Sequence, residues 1–149
     1  MNIGDSSEEI LEFAISTEIE SHHFYLALSR HVDTAKMRAV FEELATEELE
    51  HKARLELEII KTGKTAPARD RPAGPDSDYV VSDDQSPLNF DYKDMLQLAM
   101  EKEKASFRTY VKLAANTRDE SIKELLLALA EEEIRHKLRF ETEYDLLLR

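Results

Sequence analysis

The 149-residue chain has no cysteine and no tryptophan, and only three glycines and four prolines. Without cysteine there can be no disulfide staple, thiol nucleophile, zinc–cysteine site or iron–sulfur cluster, so histidine and carboxylate are the metal donors that remain. All four prolines (Pro67, Pro72, Pro75, Pro87) and two of the glycines (Gly63, Gly74) fall in one stretch. The rest of the chain is therefore almost free of helix breakers. No apolar run approaches the ~20 residues that span a bilayer. Residues 1–9 show neither the basic start nor the apolar centre of a secretory signal. The expectation is a cytoplasmic protein with no membrane partner. Basic residues are the scarcer charge: 20 Lys and Arg against 32 Asp and Glu give a net charge of -12. That charge repels phosphate backbones and argues against a nucleic-acid partner. Apolar residues, at 42%, suffice for one core, and the whole chain, 1–149, reads as a single domain.

What is present is a repeated motif. Glu48 and His51 form Glu-x-x-His, and Glu133 and His136 form it again 85 positions later; Glu18 recurs as Glu103 at the same offset. At that shift Ala14, Ser21, Tyr25, Leu28, Leu44, Ala45, Glu47, Lys52, Arg54 and Glu56 are also matched identically. Together these make 13 identities between positions 14 and 56, where chance gives roughly three at a residue frequency near 7%. The chain is a duplication. Ser6-Ser7-Glu8-Glu9 reads as a capping box opening a first helix, and Thr34 caps a second after the turn at Val32 and Asp33. Asp91 or a neighbour opens a third helix, and Asn116-Thr117-Arg118-Asp119 makes the matching turn. The spacing predicts an all-α four-helix bundle: a hairpin over 7–62, a long linker over 63–91 that either crosses the bundle or lets two chains exchange hairpins, and a hairpin over 92–148.

At 100° per residue, Leu11, Ala14, Glu18, His22, Tyr25 and Ser29 share one face of the first helix. Leu96, Ala99, Glu103, Phe107, Tyr110 and Ala114 share one face of the third. The second helix gives Phe41, Leu44, Glu48, His51, Leu55 and Ile59; the fourth gives Leu126, Leu129, Glu133, His136 and Phe140. The acidic and imidazole groups thus point inward with the apolar residues. Glu18 and Glu48 are equally distant in sequence from the turn near residue 33, as Glu103 and Glu133 are from the turn near 118. All six groups are expected at mid-height. Four carboxylates buried without counter-charge cost several kcal/mol per ion, and no lysine or arginine lies on the inward stripes. Two metal ions are the cation source that fits. A set of four carboxylates and two imidazoles suits iron, or manganese, better than copper.

Lone glutamates on two helices with Glu-x-x-His on the other two, and Ala-x-x-x-Glu-x-x-x-x-x-x-Tyr on the first and third, resemble the ferritin-like superfamily and most closely the rubrerythrin-type di-iron domain. The resemblance implies terminal ligands at Glu18 and Glu103, bridges at Glu48 and Glu133, and one histidine, His51 or His136, on each iron. It also implies that Tyr25 and Tyr110 serve the reaction by hydrogen bonding to the carboxylate layer. The activity implied is reduction of hydrogen peroxide with electrons from an external donor protein, since the four-cysteine rubredoxin module of rubrerythrins is missing. Ferroxidase or iron-storage chemistry with dioxygen, and a non-enzymatic metal-binding bundle, are the alternatives. Ser106 stands where rubrerythrins place a further carboxylate, which moves the expected site towards a symmetric six-ligand type. Leu49 and Ile134 follow the bridging glutamates where haem-binding relatives have methionine, so no haem is expected. The resemblance also implies a homodimer. His22, matched by Phe107, is expected to be a core histidine hydrogen-bonded to a neighbour; His23 and His31 point elsewhere.

Overall fold

The computed structural model describes residues 7–61 and 91–148, which form four helices: α1 (Ser7–Ser29), α2 (Ala35–Lys61), α3 (Tyr92–Ala115) and α4 (Glu120–Leu147). The helix starts are set by side-chain caps. Thr34 Oγ1 accepts from the Met37 amide at 3.2 Å. Asp91 and Asp94 form a reciprocal capping box, at 2.9 and 3.3 Å, that opens α3. Asp119 accepts from the Ile122 amide at 3.1 Å to open α4. Each satisfies an amide left unpaired by the helical pattern, an effect of about 1 kcal/mol. Ser6 of the expected first capping box and most of the linker lie outside the described residues.

The helices pair as two antiparallel hairpins, α1 with α2 and α3 with α4. Two apolar clusters lie on either side of mid-height. One contains Leu11 and Ile15 of α1, Leu55 and Ile59 of α2, Tyr110 and Ala114 of α3, and Ile122 and Leu126 of α4. The other contains Tyr25 and Leu28, Phe41 and Leu44, Met95 and Leu96, and Phe140. The start of α1 therefore packs with the end of α3, and the end of α2 with the start of α4, so both inter-hairpin pairs are antiparallel. The end of α2 and the start of α3 consequently sit at opposite ends of the bundle, about 40 Å apart along a 27-residue helix. The expected crossing of the bundle by the linker falls on residues outside those described. Among the described residues, no helix is long and apolar enough to cross a membrane.

These clusters, not the surface ion pairs, stabilise the bundle. Lys52–Glu56 and Lys137–Glu141 are both one turn apart and partly exposed, a kind of pair worth a few tenths of a kcal/mol. Phe140, in contrast, is fully buried, stacked on Tyr25 and tilted against Phe41. Phe140→Ala is expected to cost about 3–5 kcal/mol, read as a lowered midpoint in urea unfolding with an unchanged slope.

Candidate metal centre

Between the two clusters lies a polar layer. Glu18, Glu48, Glu103 and Glu133 are each at most 1% exposed, His51 is 2% and His136 7%. All six expected ligands are brought together there. They form two overlapping groups, Glu18–Glu48–His51–Glu133 and Glu48–Glu103–Glu133–His136, with one donor atom from each member within 4.8 Å of the others. Glu48 and Glu133 belong to both. Among the described residues no lysine or arginine is buried.

The histidines show how the groups are aimed. His51 Nδ1 lies 3.2 Å from Glu48, 3.3 Å from Glu18 and 3.7 Å from Glu133. His136 Nδ1 lies 3.3 Å from Glu133, 3.6 Å from Glu103 and 4.0 Å from Glu48. The rings are parallel within 4°, with centroids 5.8 Å apart. Their outer nitrogens point away: His51 Nε2 donates to Glu132 at 2.7 Å, and His136 Nε2 to Glu47 at 2.6 Å. A histidine that donates through Nε2 keeps its Nδ1 lone pair for the interior. Glu132 also accepts from Arg54 at 2.8 Å.

Glu47 and Glu132 carry a role that the sequence pattern did not reveal. Each stands just before a shared glutamate, off the inward stripe, and serves the histidine of the other hairpin. One signal was available: Glu47 recurs as Glu132 in the duplication, although exposed glutamates recur for many reasons. The tyrosines cross between hairpins as well. Tyr25 of α1 donates to Glu103 of α3, and Tyr110 of α3 donates to Glu18 of α1. Ser106 is buried, as is its counterpart Ser21, whose hydroxyl has no hydrogen-bond partner. His22 and Phe107, at equivalent edges of their stripes, are only half buried, and His22 Nδ1 pairs with the Ala45 carbonyl at 2.8 Å.

A metal fits this donor set. Glu18 Oε1, Glu48 Oε1, Glu103 Oε1, both Glu133 oxygens and His136 Nδ1 are buried without a hydrogen-bond partner, a concentration of lone pairs that is costly unless a cation is shared among them. Protonation is the substitute in metal-free protein. Burial, then the neighbouring carboxylates, push the Glu48 and Glu133 carboxyls well above the ordinary range. For Glu103, burial acts the same way but is outweighed by the neighbouring Glu133 and His136 and by the hydrogen bond from Tyr25, which together hold it below the ordinary value. Burial lowers the His136 imidazole, but Glu103, Glu48 and Glu47 together bring it up to about 9; His51 is likewise raised. Burial first, and then the acceptor glutamates, raise the Tyr25 and Tyr110 phenols, keeping them protonated.

These directions set a pH dependence. Groups with raised folded values stabilise the fold below their unfolded values and lose that contribution as pH rises through the folded ones. Glu48, Glu133, His51 and His136 all act in this direction; Glu103 and Glu132 act oppositely, and their contribution is already complete a little above pH 4.5. The metal-free protein is therefore expected to lose thermal stability from pH about 6.5 to about 9. Metal binding needs the deprotonated donors, so the rise in Tm on adding manganese should grow over the same interval, as read by thermal unfolding with and without chelator.

The comparisons with known proteins agree with this geometry. A hypothetical protein from Pyrococcus furiosus is 27% identical, with 96% of this chain and 90% of that chain covered and a TM-score of 0.68. KatB, a manganese catalase from Anabaena, is 20% identical, with 98% and 75% covered and a TM-score of 0.70. A dodecameric thioferritin, the bacterioferritin-related protein of Bacteroides fragilis, is 23% identical, with 95% and 88% covered and a TM-score of 0.66. The last two likenesses concern the fold, a ferritin-like four-helix bundle. No curated protein matches the chain. The Rubrerythrin family pattern, however, matches residues 9–144, nearly all of the sequence. The chain belongs to the Rubrerythrin family.

Proposed function

We propose that this protein is a non-haem di-iron oxidoreductase that reduces hydrogen peroxide to water with electrons from an external donor protein. The observation that carries the reading is the pair of fused four-donor groups, sharing Glu48 and Glu133, inside a layer sealed above and below by apolar residues. Glu18, Glu48 and His51 would hold one ion and Glu103, Glu133 and His136 the other, with Glu48 and Glu133 reaching both; manganese suits the same donors. The bound pair would supply two reducing equivalents together and a Lewis-acidic place for peroxide.

The remaining work falls to the chain itself. Tyr25 and Tyr110 hold a proton at Glu103 and Glu18 on opposite sides of the layer. Conversion of one peroxide to two waters consumes two protons, and the phenols stand where they can hand them over, to be refilled through their acceptors. Glu47 and Glu132 keep the imidazoles turned inward. Leu44, Phe41 and Phe140 on one side and Leu11, Leu55 and Leu126 on the other exclude bulk water and so confine the reactive species.

Anaerobic loading with two ferrous ions per chain, followed by stopped-flow mixing with peroxide and separately with dioxygen, tests the proposal. Fast oxidation by peroxide and slow oxidation by dioxygen are expected. Rapid oxidation by dioxygen with iron uptake continuing far beyond two per chain would instead establish a ferroxidase, and no reaction with either oxidant would leave a non-enzymatic metal-binding bundle.

A further inference from the structure

The duplication is faithful at the ligands and broken in the core around them. Phe41 of the first half corresponds to Leu126 of the second, Phe140 to Leu55, Tyr92 to Ser7 and Phe24 to Thr109. As a result the cluster around Tyr25 is aromatic and the cluster around Tyr110 is largely aliphatic. Burial does not require this, because Leu55 and Leu126 fill their places with no exposure at all.

The aromatic side forms a continuous path. Tyr25, bonded to Glu103, lies parallel to Phe41 within 13° at a centroid distance of 6.3 Å and against Phe140 at 5.9 Å. Phe41 meets Tyr92 edge to face at 5.9 Å. Tyr92 is the first residue of α3, half buried at the end of the bundle. Two ring-to-ring steps thus lead from the phenol on the carboxylate layer to a phenol reachable from outside. In a chain with neither tryptophan nor cysteine, tyrosine is the side chain that most readily gives up a single electron.

We propose that Tyr92 is the one-electron port of the centre, an inference that rests on the peroxidase reading. Reducing one hydrogen peroxide to two waters takes two electrons and two protons. Where the centre is one electron short, Tyr92 supplies it through the rings of Phe41 and Tyr25. Its phenolic proton passes to solvent, leaving a neutral tyrosyl radical, and solvent provides the proton taken up in water formation. A one-electron donor at the bundle end then returns the electron, and water returns the proton. The net transfer is one electron inward.

The test uses the full chain loaded with two ferrous ions and then oxidised by one equivalent of ferricyanide, so that the centre is one electron short, mixed with peroxide without donor, frozen rapidly and read by electron paramagnetic resonance. A tyrosyl radical is expected in the wild type, quenched by ascorbate as the probe donor. Tyr92→Phe should lose that signal while still binding two metal ions per chain. Phe41→Leu, which installs the other half's own residue, should slow its appearance. A signal of unchanged line shape in Tyr92→Phe overturns the proposal, as does a wild type that consumes peroxide with no radical. A wild type that does not consume peroxide overturns the peroxidase reading, and the port with it.

Discussion

Replacing Glu133 by glutamine is expected to abolish stoichiometric binding of both metal ions while making the metal-free protein more stable. Glu133 belongs to both donor groups, so a single neutral side chain there removes a donor from each position at once. Glutamine fills the same volume and leaves no cavity. In the metal-free state the Glu133 carboxyl is forced upward by burial and then by Glu103 and Glu18, so the fold bears the cost of holding it. Removing that cost should stabilise the protein by about 1–4 kcal/mol, the range seen when buried ionic groups give way to neutral residues of similar size. Equilibrium titration with manganese reads the first effect, and thermal unfolding in chelator, as a rise of several degrees, reads the second. The opposite signs distinguish a site built for cations from an ordinary polar network, in which loss of one member would lower stability. Two ions bound at wild-type affinity in Glu133→Gln would contradict the shared role.

Glu47→Ala and Glu132→Ala should each weaken binding by about 10–100-fold, the usual penalty for removing the carboxylate that orients a metal-bound histidine. Their side chains are about a third exposed, 35% and 32%, so the stability of the metal-free fold should change little. The two substitutions are not equivalent. Glu47 pairs with His136, whereas Glu132 anchors both His51 and Arg54, so the alanine at 132 also frees a guanidinium beside the site. Glutamine at either position retains an acceptor oxygen and should recover part of the affinity. Unaltered affinity in both alanine variants would show that the imidazoles are held by other means.

The six candidate ligands were legible in the sequence because three independent properties coincide at them: helical face, depth from the turn, and recurrence at one offset. Glu18 and Glu103 illustrate this, since each is a lone glutamate that means little until Tyr25, Tyr110 and the shared alanines recur with it. The Asp91 and Asp119 caps were legible for a local reason, as capping depends only on residues within one turn. What the pattern within a helix could not reveal is which hairpin a side chain serves. Tyr25 was expected to meet the carboxylate layer, but that it bonds the glutamate of α3 follows from how the hairpins dock. Glu47 and Glu132 were hidden by the same limit, because they sit on the flank of α2 and α4 and find their partners only across the interface. His22 lies at the edge of its stripe, where a few degrees of helix rotation decide between buried and half buried; the structure gives it the Ala45 carbonyl. The aromatic bias of one cluster was visible as letters, yet its continuity from Tyr25 to Tyr92 depends on packing between α1, α2 and α3.

The central claim is that two metal ions share Glu48 and Glu133. Anomalous diffraction from crystals equilibrated with manganese tests it most directly. Two peaks are expected in the layer, one beside His51 Nδ1 and one beside His136 Nδ1, with the carboxylates of Glu48 and Glu133 between them. A single peak, or metal confined to the acidic surface with none in the layer, would contradict it.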